Sequence, residues 1–407
     1  MYRPGIDRRT LLKFGAIFGA DAVLRSLGRA AVEGAAAPAT RFISDVPKMV
    51  RFPEKTDLIL LTDRPPQLET PLQYFRDDIT PNEAFFVRWH LADVPTSVNT
   101  NTFRLSLKGH VERELSLSLD DLRKQFEPVS VIAVNQCSGN SRSLFEPRVP
   151  GGQWRNGAVG NALWTGVRLK DLLAKAMPKA GAVDVTLRGL DGPVVNTTPP
   201  FVKSLPIDKA GDGEALVAYA MNGQPLPMLN GFPCRLVVPG WYATYWVKAL
   251  HEITVLDKAF DGFWMAKAYR VPVMPNYSES PASLAQKTAP ISVMTTRSLI
   301  VSPEPGDRVP AGRECVIDGV AFDRGKGIAE VDVSTDGGLS WNAASLGADR
   351  GRYSFRRFRY AWSPAARGNV RLVSRAVNAA GETQVLQQWN RSGYARDVMD
   401  PTNVLVI

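Results

Sequence analysis

Apolar and polar positions change rhythm several times along this chain, and each change marks a boundary. From Val131 to Val134 four apolar residues run together without a polar interruption, the pattern of a buried strand. The run breaks at Asn135, Gln136 and Cys137 into Ser138, Gly139, Asn140, Ser141, Arg142 and Ser143, small polar residues that predict a loop. Alternation over 183–188 predicts another strand, 215–221 a third ending in the turn Asn222-Gly223, and 169–176 a short helix. Residues 234–240 read as a buried strand opened by one charge, Arg235, and running into the aromatic loop 241–248. Residues 85–90 read as a strand on which a two-residue period puts Arg88 and His90 on one face. The stretch 42–80 is Pro-rich and aperiodic, predicting an irregular wrapping arm, and 151–164 reads as turns and a short strand. Beyond about residue 290 short alternating strands follow one another between turns such as Pro305-Gly306, Asp336-Gly337-Gly338 and Ala379-Ala380-Gly381. That spacing suggests a β-sandwich of immunoglobulin type. The fold class expected is α+β: a mixed, strand-rich domain over 38–290, then an immunoglobulin-like β-sandwich over 291–407.

Composition narrows the function. The hydrophobic fraction of 44% supports a sizeable core, while 33 Gly and 30 Pro favour turns and strands over a helical bundle. Of the net charge of +9, three units belong to residues 1–36, which hold six basic and three acidic side chains. No block of like charge or aromatic-basic stripe remains to suggest a nucleic-acid partner. Arg8 and Arg9 precede a modestly apolar stretch and the small residues Ala35, Ala36 and Ala37, which resembles a twin-arginine export signal over 1–37. The expectation is a bacterial periplasmic protein that folds around a prosthetic group before export. No other apolar run reaches membrane length, so no membrane span is expected. Three cysteines and three histidines, all far apart, exclude zinc-finger spacing, and no Cys-x-x-Cys-His is present to attach haem.

Two residues carry candidate chemistry on their own terms. Cys137 stands where a rigid strand becomes a polar loop, and Arg142, five residues on, adds a charge that favours thiolate over thiol. A lone cysteine at a strand end is otherwise a packing residue. Arg235 opens an apolar strand and needs an anionic partner, either a side-chain carboxylate or a bound phosphate.

Taken together, several strings resemble the sulfite oxidase family of molybdenum enzymes over about residues 80–407. They are the segment 135–140 around Cys137, the Arg88/His90 strand, 219–227, 231–235 and 331–338. The resemblance implies one molybdenum–molybdopterin cofactor in the first domain, with Cys137 as the only protein ligand to the metal. A soft thiolate suits that metal. By position it implies Arg88, Arg142 and Tyr269 around an oxyanion, Trp164 as a wall, and Phe86, His90, Asp191, Asn230, Arg235, Trp246 and Lys248 at the pterin and its phosphate. The reaction implied is oxygen-atom transfer to sulfite. Electrons would leave to a c-type cytochrome, as a tight haem subunit or a diffusing partner, since this chain lacks a haem motif. A homodimer or a heterodimer with that subunit is expected.

Two departures from the animal enzymes stand out. Asn230 occupies a position usually held by His, and the string Trp389-Asn390-Arg391-Ser392-Gly393 carries its arginine one residue early, leaving a third pocket cation open. A sulfane dehydrogenase shares both domains and is the alternative enzyme. Outside the enzyme class stands an exported adhesion or scaffold module, with Cys234 and Cys315 paired.

Overall fold

The structure, a computed structural model, describes residues 47–407. The expected export signal over 1–37 lies outside the described residues. Strand Val159–Arg168 is the hub of the first half. It pairs antiparallel with Val129–Gln136 on one side and with Leu216–Met221 on the other. Arg235–Val237 adds to the far edge of Leu216–Met221, so the strands carrying Cys137 and Arg235 belong to one sheet. The hub strand is lined with small residues because neighbours press on it. A Cβ on Gly160 would meet the Phe85 ring at 2.5 Å, and one on Gly166 would meet the Val217 carbonyl at 2.1 Å.

A second sheet runs Val202–Pro206, Asp184–Gly189, Leu250–Leu256, Leu105–Gly109 and Leu115–Leu117. It is antiparallel except where Leu250–Leu256 pairs with Leu105–Gly109. Helix Leu169–Ala176 forms where expected, burying Leu169, Leu172, Leu173 and Ala176 on one face.

The arm before residue 80 is more ordered than its composition predicts. Met49–Arg51, Asp57–Thr62 and Gln67–Glu69 form a small sheet with Val87–Arg88. Its strands are too short and too interrupted by Pro and charge to show a period, and the pairing that fixes the sheet is non-local. The expected strand over 85–90 is regular only at Val87–Arg88, which is the edge of that sheet. Conversely, the short strand expected within 151–164 is ten residues long and extends to Arg168.

The C-terminal part is a sandwich of two sheets. One orders Arg297–Ser302, Cys315–Phe322, Arg356–Trp362 and Ser345–Leu346; the other includes Thr402–Val406, Gly368–Asn378 and Ile328–Ser334. Its inner faces bury Ile300, Ile317, Val331, Val333, Phe358 and Leu372. This is the strand-rich, α+β order expected, a mixed domain followed by an immunoglobulin-like sandwich. Cys315 lies in a sandwich strand and Cys234 in the first core, both as free thiols, so the pairing required by the scaffold alternative is not formed.

The two parts share a core and grip one loop. The Val134 amide donates to the Tyr353 carbonyl at 2.8 Å, and the Ala395 amide donates to the Ser138 carbonyl at 2.9 Å. Arg297, fully buried at the start of the sandwich, donates from Nη2 to Ser141 Oγ at 2.9 Å. The sandwich therefore holds the loop that follows Cys137 from both ends.

Candidate functional site

Cys137 sits one residue beyond the strand Val129–Gln136, with its amide bonded to the Ala158 carbonyl at 2.9 Å. Asn140 turns back and its Oδ1 accepts from the Ala158 amide at 2.9 Å, locking the loop against the hub strand. The thiol faces a cavity that is partly open to solvent. Around it stand Arg88, His90, Asn135, Ser138, Asn230, Arg235, Thr244, Lys248 and Tyr269, with Phe85, Phe86 and Ala243 as apolar wall. Two arginines and a lysine, Arg88, Arg235 and Lys248, and no carboxylate line this space among the described residues. A cavity so built favours an anionic guest.

Arg88, on the strand Val87–Arg88, and His90, just beyond its end, both line the cavity, as the two-residue period predicts. His90 is packed face to face with Phe201, rings 3.6 Å apart at 13°, and its Nε2 shares a hydrogen bond of 2.5 Å with the Tyr269 hydroxyl. Burial, then the charges of Arg88, Lys248 and Lys203, hold the imidazole pKa well below its ordinary value, so His90 is neutral. Burial likewise raises the Tyr269 hydroxyl, which stays protonated and able to donate. Tyr269 adopts φ +56°, a left-handed conformation costly for a non-glycine residue, and this turn aims its ring into the cavity.

At the other end Arg235 is buried between two tryptophans, its guanidinium 5.0 Å from the Trp164 ring and 5.8 Å from Trp246. It donates to the carbonyls of Asn230 (2.8 Å) and Trp246 (3.1 Å), while its Nε finds no partner. No carboxylate among the described residues pairs with it, so of the two partners open on sequence grounds a side-chain carboxylate is not found there. Burial pulls its pKa down to about 9, leaving it charged at neutral pH. Lys248 donates to the Arg88 carbonyl at 2.7 Å and lies over Trp89. Burial lowers Lys248 and raises Asp191, and each offsets part of the other's shift.

The residues present fit a large polar anionic group. Beside Arg235 Nε, three more buried polar atoms lining this cavity lack partners: Asn135 Nδ2, Ser138 Oγ and Thr244 Oγ1. Orphaned buried polar atoms cost about 1–3 kcal/mol each, and four around one cavity are a set of contacts awaiting a ligand. No group of three or more His, Cys, Asp or Glu converges among the described residues. A metal here would take Cys137 as its one protein donor, with the rest supplied by the group that carries it.

Four sequence-based placements are corrected. Trp164 is no wall of the cavity: it is wholly buried behind Arg235 with its Nε1 bonded to the Ala133 carbonyl at 3.1 Å. Trp246 also stands behind the surface, packed edge-on to Trp164. Asp191 is buried near Lys248 rather than on the cavity wall. Arg142 stands one ring back from the cavity. Its guanidinium donates to the carbonyls of Gly152, Ser392 and Gly393, and it lies 4.9 Å from the Tyr394 ring. Three glycines make room for it: a Cβ on Gly139 or Gly151 would meet its Nη atoms at 2.6 Å, and one on Gly393 would meet its Cγ and Nε at 2.9 Å. The open question at Arg391 is also answered. That side chain is taken by Glu279, with bonds of 2.9 and 2.5 Å, and does not reach the cavity.

Sequence reasoning missed Lys55, Lys203 and Tyr394. Lys55, in the arm, is buried, donating to the Asn82 and Phe85 carbonyls and to Asn230 Oδ1. Nothing in the aperiodic arm marks it. Tyr394 stacks on Tyr269, and Lys203 packs against the Tyr269 ring.

This arrangement has known counterparts. The family profile described as "Oxidoreductase molybdopterin binding domain" matches residues 91–264, and "Mo-co oxidoreductase dimerisation domain" matches 288–390. Sulfite oxidase of Gallus gallus is 33% identical over 368 residues, covering 84% of this chain and 76% of that protein. The chain belongs to the sulfite oxidase family. The mitochondrial sulfite oxidase of Homo sapiens is 34% identical over 368 residues; the match covers 85% of this chain and 65% of that longer protein. Among solved structures, the sulfane dehydrogenase SoxCD from Paracoccus pantotrophus superposes with a TM-score of 0.72 at 25% identity, covering 98% of this chain and 96% of that one. The chain thus carries the family's molybdopterin-binding and dimerisation domains, and it spans 65% of the length of the mammalian relatives it matches. No helix among the described residues is long and apolar enough to cross a membrane.

Proposed function

We propose that this protein oxidises sulfite to sulfate in the bacterial periplasm and passes the electrons to a c-type cytochrome. The observation that carries the reading is the cavity itself: one thiol, Arg88, neutral His90 and protonated Tyr269 at one end, and no carboxylate on its wall. Sulfite and water give sulfate, two protons and two electrons that an oxidant takes up, so the site must bind one oxyanion and release another.

When bound, the molybdenum–molybdopterin group supplies oxygen-atom transfer and a two-electron store. The chain's residues do the rest. Cys137 holds the metal. Arg235, Lys248, Asn230, Thr244, Asn135 and Ser138 hold the pterin and its phosphate, with Asp191 and Trp246 supporting from behind. Phe86 closes the apolar side. Arg88 and Tyr269 orient the oxyanion by charge-assisted and neutral hydrogen bonds. His90 fixes the Tyr269 hydroxyl.

A second reading, oxidation of sulfane sulfur carried on a protein, is favoured by the end-to-end superposition on the sulfane dehydrogenase. Molybdenum-loaded protein offered sulfite and a carrier-bound persulfide in parallel separates the two. Ferricytochrome c reduced with sulfite alone supports the first reading; reduction with the persulfide alone supports the second. The dimerisation profile over 288–390 supports assembly through the sandwich, as a homodimer or beside a haem subunit.

A further inference from the structure

Lys203 is a fully buried cation that the reaction just described does not use. It lies on strand Val202–Pro206 with no exposed surface. Among the described residues its Nζ makes one hydrogen bond, to the Trp264 carbonyl at 2.7 Å, and none to a carboxylate. The remaining contacts are aromatic faces, Tyr245 at 4.6 Å and Tyr269 at 5.3 Å from the ring centroids. Burial alone displaces its pKa, down to about 7; no neighbouring acid counters that shift. A lysine in such surroundings destabilises the fold unless something negative comes near.

What comes near is defined by its neighbours. Tyr269 lines the cavity, and its hydroxyl is bonded to His90, whose imidazole feels the Lys203 charge together with those of Arg88 and Lys248. Contacts run in order from Arg142 to Tyr394, from Tyr394 to Tyr269 and from Tyr269 to Lys203, so two cations bracket a pair of stacked rings. Arg391 is tied to Glu279. Lys203 is left as the buried, uncompensated charge on this flank of the cavity.

We propose that Lys203 is a positioning residue of the oxyanion site, acting through Tyr269 to supply positive charge to a bound sulfur oxyanion without touching it. This rests on the sulfite-oxidising reading for the identity of the anion, though not for the presence of an anion. The charge acts over several ångströms of low-dielectric protein, where it is screened far less than in water. It favours a doubly charged oxyanion over a singly charged one of similar size. An oxyanion in the cavity in turn favours the protonated amine.

The test uses molybdenum-loaded wild-type protein, Lys203→Met and Lys203→Arg. Sulfate binding at fixed ionic strength is followed by tryptophan fluorescence, since Trp264 lies against both His90 and Tyr269. The expected result is that Lys203→Met weakens sulfate binding and raises the sulfite KM by about tenfold. Its kcat should stay within a factor of about three, and its molybdenum content unchanged, while Lys203→Arg stays close to wild type. Unchanged sulfate binding in Lys203→Met overturns the proposal. So does equal loss in both variants with a lowered melting temperature, because that is packing rather than charge. If wild-type protein bound sulfate but did not oxidise sulfite, and Lys203→Met bound it tenfold less, the sulfite reaction would fall and the role of Lys203 would stand.

Discussion

The rings of Tyr269 and Tyr394 lie parallel, 5.3 Å apart at 5°, and through this pair the sandwich reaches the wall of the cavity. Tyr269 holds a strained backbone turn, and Tyr394 is the surface that backs it. Tyr394→Phe keeps the stack and should leave sulfite kinetics near wild type. Tyr394→Ala removes it and should raise the sulfite KM by about three- to tenfold, given roughly 0.5–1.5 kcal/mol for an aromatic pair. Steady-state kinetics on both variants decide the matter; equal behaviour would mean that the stack does not position Tyr269.

Cys137→Ser should retain the fold, because the backbone bonds that place residue 137 do not involve sulfur. Sulfite oxidation should be lost, since a hydroxyl is a poor donor to a thiophilic metal. Circular dichroism and turnover measured on the same preparation check it. Near-normal turnover would remove Cys137 from the metal.

Arg391→Ala should leave the sulfite KM within about twofold of wild type. Its partner Glu279 is held down to about pKa 2 by the hydrogen bonds from Arg391, but the arginine is well exposed, so the loss of stability should be no more than about 1 kcal/mol. A large rise in KM without loss of stability would return Arg391 to the oxyanion site.

The parts of this site that were legible in the sequence are those set by local pattern. A buried run ending in a polar loop placed Cys137 correctly, a lone charge on an apolar strand marked Arg235, and a two-residue period brought Arg88 and His90 into one cavity. What could not be read depends on residues distant in sequence. Arg142 has the charge expected of a pocket residue, yet three carbonyls, two of them some 250 residues away, take its donors. Lys203 carries no sequence signal, because its strand Val202–Pro206 shows no alternation of apolar and polar positions. Only the packing of Tyr245, Trp264 and Tyr269 over it shows that it is buried. The sheet in the arm was missed because its strands are too short for a period to emerge.

Protein prepared without cofactor should be least stable near neutral pH. Burial lowers Lys55 and Lys203 to about 7, below the roughly 10.4 of an unfolded lysine, so between those values the unfolded chain binds more protons and stability rises with pH. Burial raises Asp397 to about 7, above the roughly 3.9 of an unfolded aspartate, so between those values the folded chain binds more protons and stability falls as pH rises. Melting temperatures at about pH 5.5, 7 and 9 should pass through a minimum. A steady decline from neutral to alkaline pH would contradict the lysine assignments. Cofactor and oxyanion, by restoring charge to the lysines, should flatten the alkaline limb.

The most direct measurement is sulfite-dependent reduction of ferricytochrome c by molybdenum-loaded protein, with sulfate quantified in the same vessel. The account predicts two cytochromes reduced for each sulfate formed, by the two-electron balance of the reaction, and no reduction by Cys137→Ser. Fully loaded protein that reduces no cytochrome with sulfite, or that reduces it without forming sulfate, would contradict the account.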